Sequence, residues 1–347
     1  LTPKYNIRRR IDDILYRLYG LSVANAEDPE VAFGHAALSI LLSVTFYEHV
    51  RVRHPELKPL LEYVKDYGPI EGLRMAFEEL LKIDYRTAVE TALDIVSTLP
   101  PNAGQRVRDL INLGVRLASS SSLLRKDFAG RIYHEITGDI ALRKGFATFY
   151  TEVPAAYLLA SLAIKSLLGL EEKGIRELSE GEVREVVSRI ATVKIGDLAS
   201  GSGTLLTASY SALMRIATML KYYYGLDDVD VGGLGRRLIE EGIYGVDALK
   251  YASQITAINL ALIGPAISRE NVYTIYLGYI PEKKQAWLGS LELLNNGKRV
   301  GGLLAWIEGG LKGSVENVNV EGVEGAFSIP ERFDLIIMNT PFTRATG

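Results

Sequence analysis

The chain has 347 residues, enough for two or three domains, and its hydrophobic content of 48% supports a sizeable core. Its formal net charge of −3 gives no argument for a general affinity for nucleic acid, so a DNA-binding surface would have to be local. The absence of cysteine excludes disulfides and thiolate metal sites, and the four histidines lack metal-ligand spacing, so we predict no metal. No apolar run could span a bilayer and no secretory leader is visible, so we expect an intracellular, cytoplasmic protein without membrane contact.

The first third of the chain predicts helices and no strands. Apolar residues recur there at helical spacing, and the dipeptide Pro100-Pro101 interrupts the pattern. We therefore predict an all-helical N-terminal domain over residues 1–125. The predicted helical segments are 11–18, 36–47, 60–64, 73–81 and 107–117.

From about residue 126 the pattern changes to short strands that alternate with helices. A strongly apolar helix at 153–168 comes first, followed by a helix that the capping box of Ser179 and Glu182 opens. The alternation that follows is typical of an α/β fold with a parallel sheet and right-handed crossovers. We expect strands at 192–195, 243–246, 272–277 and 333–338, and helices at 204–224 and 248–262.

A glycine-rich turn, Asp197-Leu198-Ala199-Ser200-Gly201-Ser202-Gly203, joins the first strand to its helix. Glycine lets the backbone approach a ligand and take positive φ, and the carboxyl end of a parallel strand is where open α/β sheets bind ligands. A dinucleotide fingerprint would need a third glycine where Leu206 stands, and a phosphate-binding loop would need a lysine before Thr204. The turn therefore favours an uncharged or zwitterionic adenosine derivative.

The second predicted strand ends at Asp247, whose carboxylate could accept hydrogen bonds from both hydroxyl groups of a ribose. The gap from Gly203 exceeds the roughly 20 residues usual in dinucleotide-binding folds, and we assign the excess to a surface insertion at 227–241. The alternative is an ordinary α/β turn with a chance aspartate.

The last predicted strand is a buried run that leads into Asn339-Thr340-Pro341-Phe342. An amide oxygen and a backbone carbonyl beside a proline are two acceptors in fixed geometry, which suits the two N–H groups of an amine. Hydrogen bonds to both would favour a pyramidal nitrogen with its lone pair directed at a methyl group, and Phe342 offers a stacking face for a planar base. The alternative is a common Asn-Thr-Pro turn that ends a strand.

Together, the turn and the tetrapeptide resemble the N6-adenine class of amino-group DNA methyltransferases, in which the cofactor motif precedes an Asn/Asp-Pro-Pro-Tyr/Phe motif. Upstream, Phe149-Tyr150-Thr151 is similar to the Phe-Tyr-Thr-Pro segment of type I and type IIG modification enzymes. The similarity covers about residues 130–347. The residues that match the family's Asp-x-Ala-Cys-Gly-Ser-Gly are Asp197, Ala199, Gly201, Ser202 and Gly203.

The sequence departs from the family pattern at four positions. Thr340 replaces the first proline of the tetrapeptide, Glu152 replaces the proline of Phe-Tyr-Thr-Pro, and Ser200 replaces the cysteine. The acidic residue expected after the third strand, which would contact the adenine ring, is missing because Ser290 stands in its place.

The resemblance implies a Rossmann-like S-adenosylmethionine-dependent methyltransferase fold over residues 126–347, incomplete at its C-terminus. It implies double-stranded DNA as the substrate and restriction or specificity subunits as partners. Asn339 and the Pro341 carbonyl would hold N6 of a flipped-out adenine on which Phe342 stacks, and the methyl group would transfer in line. The residues that the resemblance assigns to S-adenosylmethionine are Tyr150, Thr151, Asp197, Ala199, Gly201, Gly203 and Asp247.

Two other functions remain open. An Asn-x-Pro-aromatic motif also serves N5-methylation of glutamine amides in proteins. A catalytically silent cofactor- or DNA-binding module of a larger restriction complex could carry the same motifs, and Thr340 and Ser290 favour this. The chain starts at Leu1 and stops at Gly347, eight residues past Asn339, so we expect a fragment of a larger polypeptide that can be inactive alone.

Overall fold

The computed structural model describes residues 29–83, 85–119, 151–248, 250–264, 271–275, 277–280, 285–288, 290 and 329–340. Within these residues the protein is mostly helical with a four-stranded parallel sheet, in agreement with the predicted α/β class. The predicted helix at 11–18 lies outside the described residues, as do Tyr150, Pro341 and Phe342. None of the helices in these ranges combines the length and the apolar character needed to cross a lipid bilayer.

The described residues up to 119 form helices and no strand, as predicted. The helix break predicted at the two prolines is present, because a short 3₁₀ turn at Pro101–Ala103 separates two helices. Gly114 allows the helix Gly104–Ala118 to pass close to the helix Pro29–Val50, since a Cβ at Gly114 would lie 2.4 Å from a methyl carbon of Val44. The helices are α1 Pro29–Val50, α2 Leu60–Tyr67, α3 Pro69–Leu81, α4 Arg86–Thr98 and α5 Gly104–Ala118.

Helices and strands alternate in the rest of the described chain. The predicted capping box is confirmed, since the Ser179 hydroxyl accepts from Glu182 N at 3.4 Å and the Glu182 carboxylate accepts from Ser179 N at 2.8 Å. The elements are α6 Val153–Leu167, α7 Glu180–Thr192, β1 Ile195–Asp197, α8 Thr204–Tyr224, α9 Val231–Arg237, β2 Ile243–Asp247, α10 Lys250–Ile263, β3 Val272–Thr274, β4 Leu277–Ile280, β5 Gln285–Leu288 and β6 Leu335–Ile336.

Two strand predictions need correction. The strand expected at 192–195 lies at Ile195–Asp197, because α7 continues to Thr192 and only the later residues pair with neighbouring strands. The strand expected at 272–277 is divided: β3 ends at Thr274, and Leu277 begins β4, which pairs antiparallel with β5 in a separate hairpin.

Two burial predictions are also wrong. The run at 333–338 is not uniformly buried, since Ile336 and Met338 are 48% and 45% exposed. Only Leu335–Ile336 of the predicted strand form β6, which is an edge strand of the described sheet and pairs only with β1 there, and Met338 lies two residues beyond it. The insertion at 227–241 is not a surface elaboration, because it folds into α9 and a π-helical turn that bury Leu234 and Ile239.

The parallel sheet has the strand order β3-β2-β1-β6. The chain moves outward on one side of β1 through β2 to β3 and then returns to the other side as β6. In open α/β sheets such a reversal leaves a crevice at the carboxyl ends of the two diverging strands, and ligands bind there. By this rule the ligand-binding crevice of this sheet is expected between β1 and β6.

A buried polar contact joins the N-terminal helices to α10. Gln254 of α10 accepts a hydrogen bond from the Ser39 hydroxyl at 2.9 Å and donates to the Ser43 hydroxyl at 3.0 Å and the Ala88 carbonyl at 3.1 Å. All these groups are buried, so each bond offsets a desolvation cost. The position of α10 is therefore set by α1 and α4 as well as by the sheet.

Candidate functional site

Three of the predicted site segments follow adjacent parallel strands. The glycine turn comes after β1, Asp247 ends β2, and Asn339 follows β6. The backbone N–H of Ile337 donates to the Gly196 carbonyl at 2.9 Å. Asp197 follows Gly196 by one residue and Asn339 follows Ile337 by two, so both lie at the same edge of the sheet.

The two glycines of the turn have positive φ for different local reasons. Gly201 has φ 54° and Gly203 has φ 76°, both in the left-handed region that favours glycine. A Cβ on Gly203 would lie 2.9 Å from Cγ2 of Thr256, so the helix α10 passes directly behind it. A Cβ on Gly201 would meet no other described atom within 4 Å, so the turn is open on that side.

Two residues of α10 that the sequence did not single out hold the turn from behind. Thr256 Oγ1 donates to the Gly201 carbonyl at 2.9 Å, and Asn259 Nδ2 donates to the Ser202 carbonyl at 2.8 Å. Both carbonyls are thereby directed at the helix. The available sequence signal was two polar residues three positions apart on one face of the helix.

Asp247 contacts the glycine turn directly. Its Oδ2 accepts a hydrogen bond from the backbone N–H of Gly201 at 2.8 Å. The residue is half-buried. The end of β2 and the turn after β1 therefore form one continuous polar surface.

Asp197 is buried beneath the same turn, with 1% of its surface exposed. The pKa of its carboxyl is raised to about 8, mainly because the group is buried. The hydrogen bond that it accepts from the Ala199 N–H at 3.1 Å lowers the pKa, and the negative charge of Asp247 raises it. The carboxyl is therefore mostly protonated at pH 7.

The raised pKa predicts that stability falls as pH rises. Between pH 3.8, the ordinary pKa, and about pH 8 the folded state binds more protons than the unfolded chain. The contribution of Asp197 to the free energy of unfolding is therefore complete below pH 3.8 and is lost as pH rises through about 8. Asp197→Asn keeps an acceptor for Ala199 and cannot ionise. We expect the free energy of unfolding of wild type to fall by about 4 kcal/mol more than that of the variant between pH 5 and pH 8.

Urea denaturation at several pH values measures this difference. Asp66→Asn, at an exposed position on α2, is the matched control and should follow the wild-type pH profile. Parallel profiles for wild type and Asp197→Asn would show that the buried carboxyl does not carry the raised pKa.

Asn339 is joined to the segment before α6. Its Nδ2 donates to Thr151 Oγ1 at 3.1 Å, across 188 positions of sequence. Both residues are half-buried, whereas Thr340 is exposed. Thr151 and Asn339, one residue from each of the two segments, thus meet at the carboxyl edge of β6.

No protein-family model matches the chain, and no curated protein is significantly similar to it. What the site can do chemically therefore rests on its own residues. They form an open glycine turn backed by α10, two neighbouring acidic side chains, and an asparagine amide beyond the adjacent strand. These hydrogen-bonding groups therefore lie together at the carboxyl edge of the parallel sheet.

Proposed function

We propose that the protein is an S-adenosylmethionine-dependent methyltransferase that modifies N6 of adenine in double-stranded DNA, as part of a cytoplasmic restriction-modification system. The observation that carries the proposal is the convergence of the glycine turn, Asp247 and Asn339 on the ends of three adjacent parallel strands. The strand order β3-β2-β1-β6 also fits one side and the reversal point of a Rossmann-like sheet.

The residues around the turn fit S-adenosylmethionine. The space beside Gly201, which a Cβ would fill, leaves room for the cofactor. The Asp247 carboxylate, which accepts from the Gly201 N–H, could also accept hydrogen bonds from the two ribose hydroxyls. Because the buried Asp197 carboxyl is mostly neutral at pH 7, the negative charge at this end of the site is that of Asp247, which favours a cation. When bound, the cofactor supplies an electrophilic methyl group on a positively charged sulfur.

The acceptor side of the proposed reaction is the asparagine amide. Asn339 Oδ1 would accept one N–H of the adenine amino group and the Pro341 carbonyl would accept the other, while Phe342 would stack on the base. The target base would leave the duplex stack to reach them. These groups would act by orienting the nitrogen lone pair toward the methyl group.

The experiment uses the full-length protein and three substrates. Calorimetry measures S-adenosylmethionine binding, and a tritiated methyl group is followed into unmethylated double-stranded DNA, into DNA already methylated at adenine N6, and into a protein mixture. We expect binding, and label only in the unmethylated DNA, recovered as N6-methyladenine.

Each other outcome contradicts the proposal in a specific way. Label on glutamine would identify a protein methyltransferase. Cofactor binding without transfer would identify a silent module, which the departures at Ser290 and Thr340 favour. No binding of S-adenosylmethionine would exclude every function that depends on the cofactor.

A further inference from the structure

The outer face of α6 is apolar although it is exposed. A helix that packs on a protein core ordinarily presents charged or polar side chains to water. The helix α7 follows this rule, since its exposed side chains include Arg184 and Arg189. On α6, by contrast, Leu158, Leu159 and Leu162 are 63%, 48% and 59% exposed. Exposed apolar side chains concentrated in this way are typical of a surface that binds another protein.

The opposite side of α6 is buried against the core. Three of its side chains, spaced one turn apart, are fully buried: Ala156, Ala160 and Ile164. Beside them, a hydrogen bond of 3.3 Å between the hydroxyl groups of Tyr157 and Ser211 joins α6 to α8. The helix is therefore held by one side, and its packing in the core does not use the exposed leucines.

The exposed apolar face of α6 is symmetric about its own centre. Ala155, Leu158, Leu159 and Leu162 are exposed and have the i, i+3, i+4, i+7 spacing of a single helix face. Ala155 precedes Leu158 by three residues and Leu162 follows Leu159 by three, so the midpoint lies between the two central leucines. A second copy packed antiparallel about this midpoint would place its Leu162 opposite Ala155. A large side chain would thus meet a small one twice, as a two-fold interface requires.

The charges at the two ends of this face continue the symmetry. Glu152 comes three residues before Ala155 and Lys165 comes three residues after Leu162, both are exposed, and no charged residue lies between them. In an antiparallel pair, Glu152 of each copy lies at the level of Lys165 of the other. In a parallel pair, like charges would lie at the same level at both ends. The charges therefore favour the antiparallel arrangement.

We propose that α6 is a dimerisation surface, on which a second copy of this chain packs antiparallel about a two-fold axis. Ala155, Leu158, Leu159 and Leu162 form the apolar centre, and the charged pair closes each end. The proposal does not depend on the methyltransferase function, since it involves no ligand. One helix per copy buries less than the roughly 800 Å² per partner of a standard interface, so we expect a reversible dimer with a Kd of about 1–100 μM.

Analytical ultracentrifugation of the full-length protein between about 0.1 and 500 μM measures this equilibrium. We expect Leu162→Glu to weaken dimerisation at least about 30-fold, because it places a charge in the apolar centre. Leu61→Glu is the matched control, since Leu61 is a 47% exposed leucine on α2, and it should dimerise as wild type does. Both positions are exposed, so both variants should retain the thermal denaturation midpoint of wild type to within a few degrees.

Charge reversal tests the antiparallel arrangement. Glu152→Lys and Lys165→Glu should each weaken dimerisation by about three- to tenfold, because each places like charges at the same level. The double variant exchanges both charges and should recover most of the wild-type affinity. An equimolar mixture of the two single variants should form mixed dimers more tightly than either variant forms dimers alone.

The outcomes distinguish this proposal from the proposed function. A full-length protein that stays monomeric over the whole concentration range overturns the dimer. A dimer that Leu162→Glu leaves intact uses another surface and also overturns it, and single charge variants that dimerise as wild type does overturn the antiparallel arrangement. A protein that dimerises as described and transfers no methyl group overturns the proposed function alone.

Discussion

Replacing Asn339 with alanine is expected to slow methyl transfer by about 10²- to 10³-fold while S-adenosylmethionine affinity stays within about twofold of wild type. The substitution removes the acceptor that would hold the amine, and the Pro341 carbonyl alone would hold only one of its N–H groups. The nitrogen lone pair is then no longer directed at the methyl group, and orientation is the main catalytic contribution in this mechanism.

Single-turnover transfer from tritiated S-adenosylmethionine measures the first effect, and calorimetry measures the second. Asn112→Ala, at an exposed position on α5 far in sequence from the site, is the control for asparagine truncation and should leave both values unchanged. A wild-type rate for Asn339→Ala would exclude the tetrapeptide as the amine-binding element. A large loss of cofactor affinity would move Asn339 to the cofactor site.

Replacing Gly201 with alanine is expected to weaken S-adenosylmethionine binding by about tenfold or more. The residue has φ 54°, so alanine strains the backbone by about 1 kcal/mol. The added methyl group also enters the open space beside the turn, where a Cβ on Gly201 meets no described atom within 4 Å. The backbone strain and the loss of this space would both weaken binding of the cofactor.

Gly225 provides a control of matched backbone geometry. It ends α8 with φ 64°, and a Cβ there would also meet no described atom within 4 Å. Gly225→Ala should therefore cost about the same stability, roughly 1 kcal/mol, without changing cofactor affinity. Thermal denaturation and calorimetry of both variants test this. Equal affinities for the two variants would mean that the turn after β1 does not contact the ligand.

The helices were largely predictable from the sequence because their signals are local. The helix Thr204–Tyr224 has the predicted bounds, since glycines with positive φ flank it at 203 and 225. The strand β1 was placed too early because β-branched residues at 192–193 favour a strand locally. Its real position depends on pairing with β2 and β6, and the latter pairing joins residues 140 positions apart in sequence.

The candidate site was predictable where residues follow strand ends and not where they lie behind the turn. Asp247 and the glycines could be placed because parallel strands end at one edge, and their cofactor-binding role stays a prediction. Thr256 and Asn259 were missed because their partners are backbone carbonyls 55 and 57 positions earlier. The exposure of Ile336 was missed because an apolar strand sequence does not reveal whether both faces are covered.

Because α10 contacts the glycine turn on one side and the N-terminal helices on the other, the turn and the residues that support it are encoded in different parts of the gene. The helix holds the glycine turn through Thr256 and is itself held by Gln254 against α1 and α4. A deletion that kept residues 151–347 would retain the described site residues but expose the buried polar face of α10 and remove its anchors. The presence of the motif in such a shortened chain would therefore not imply an assembled site.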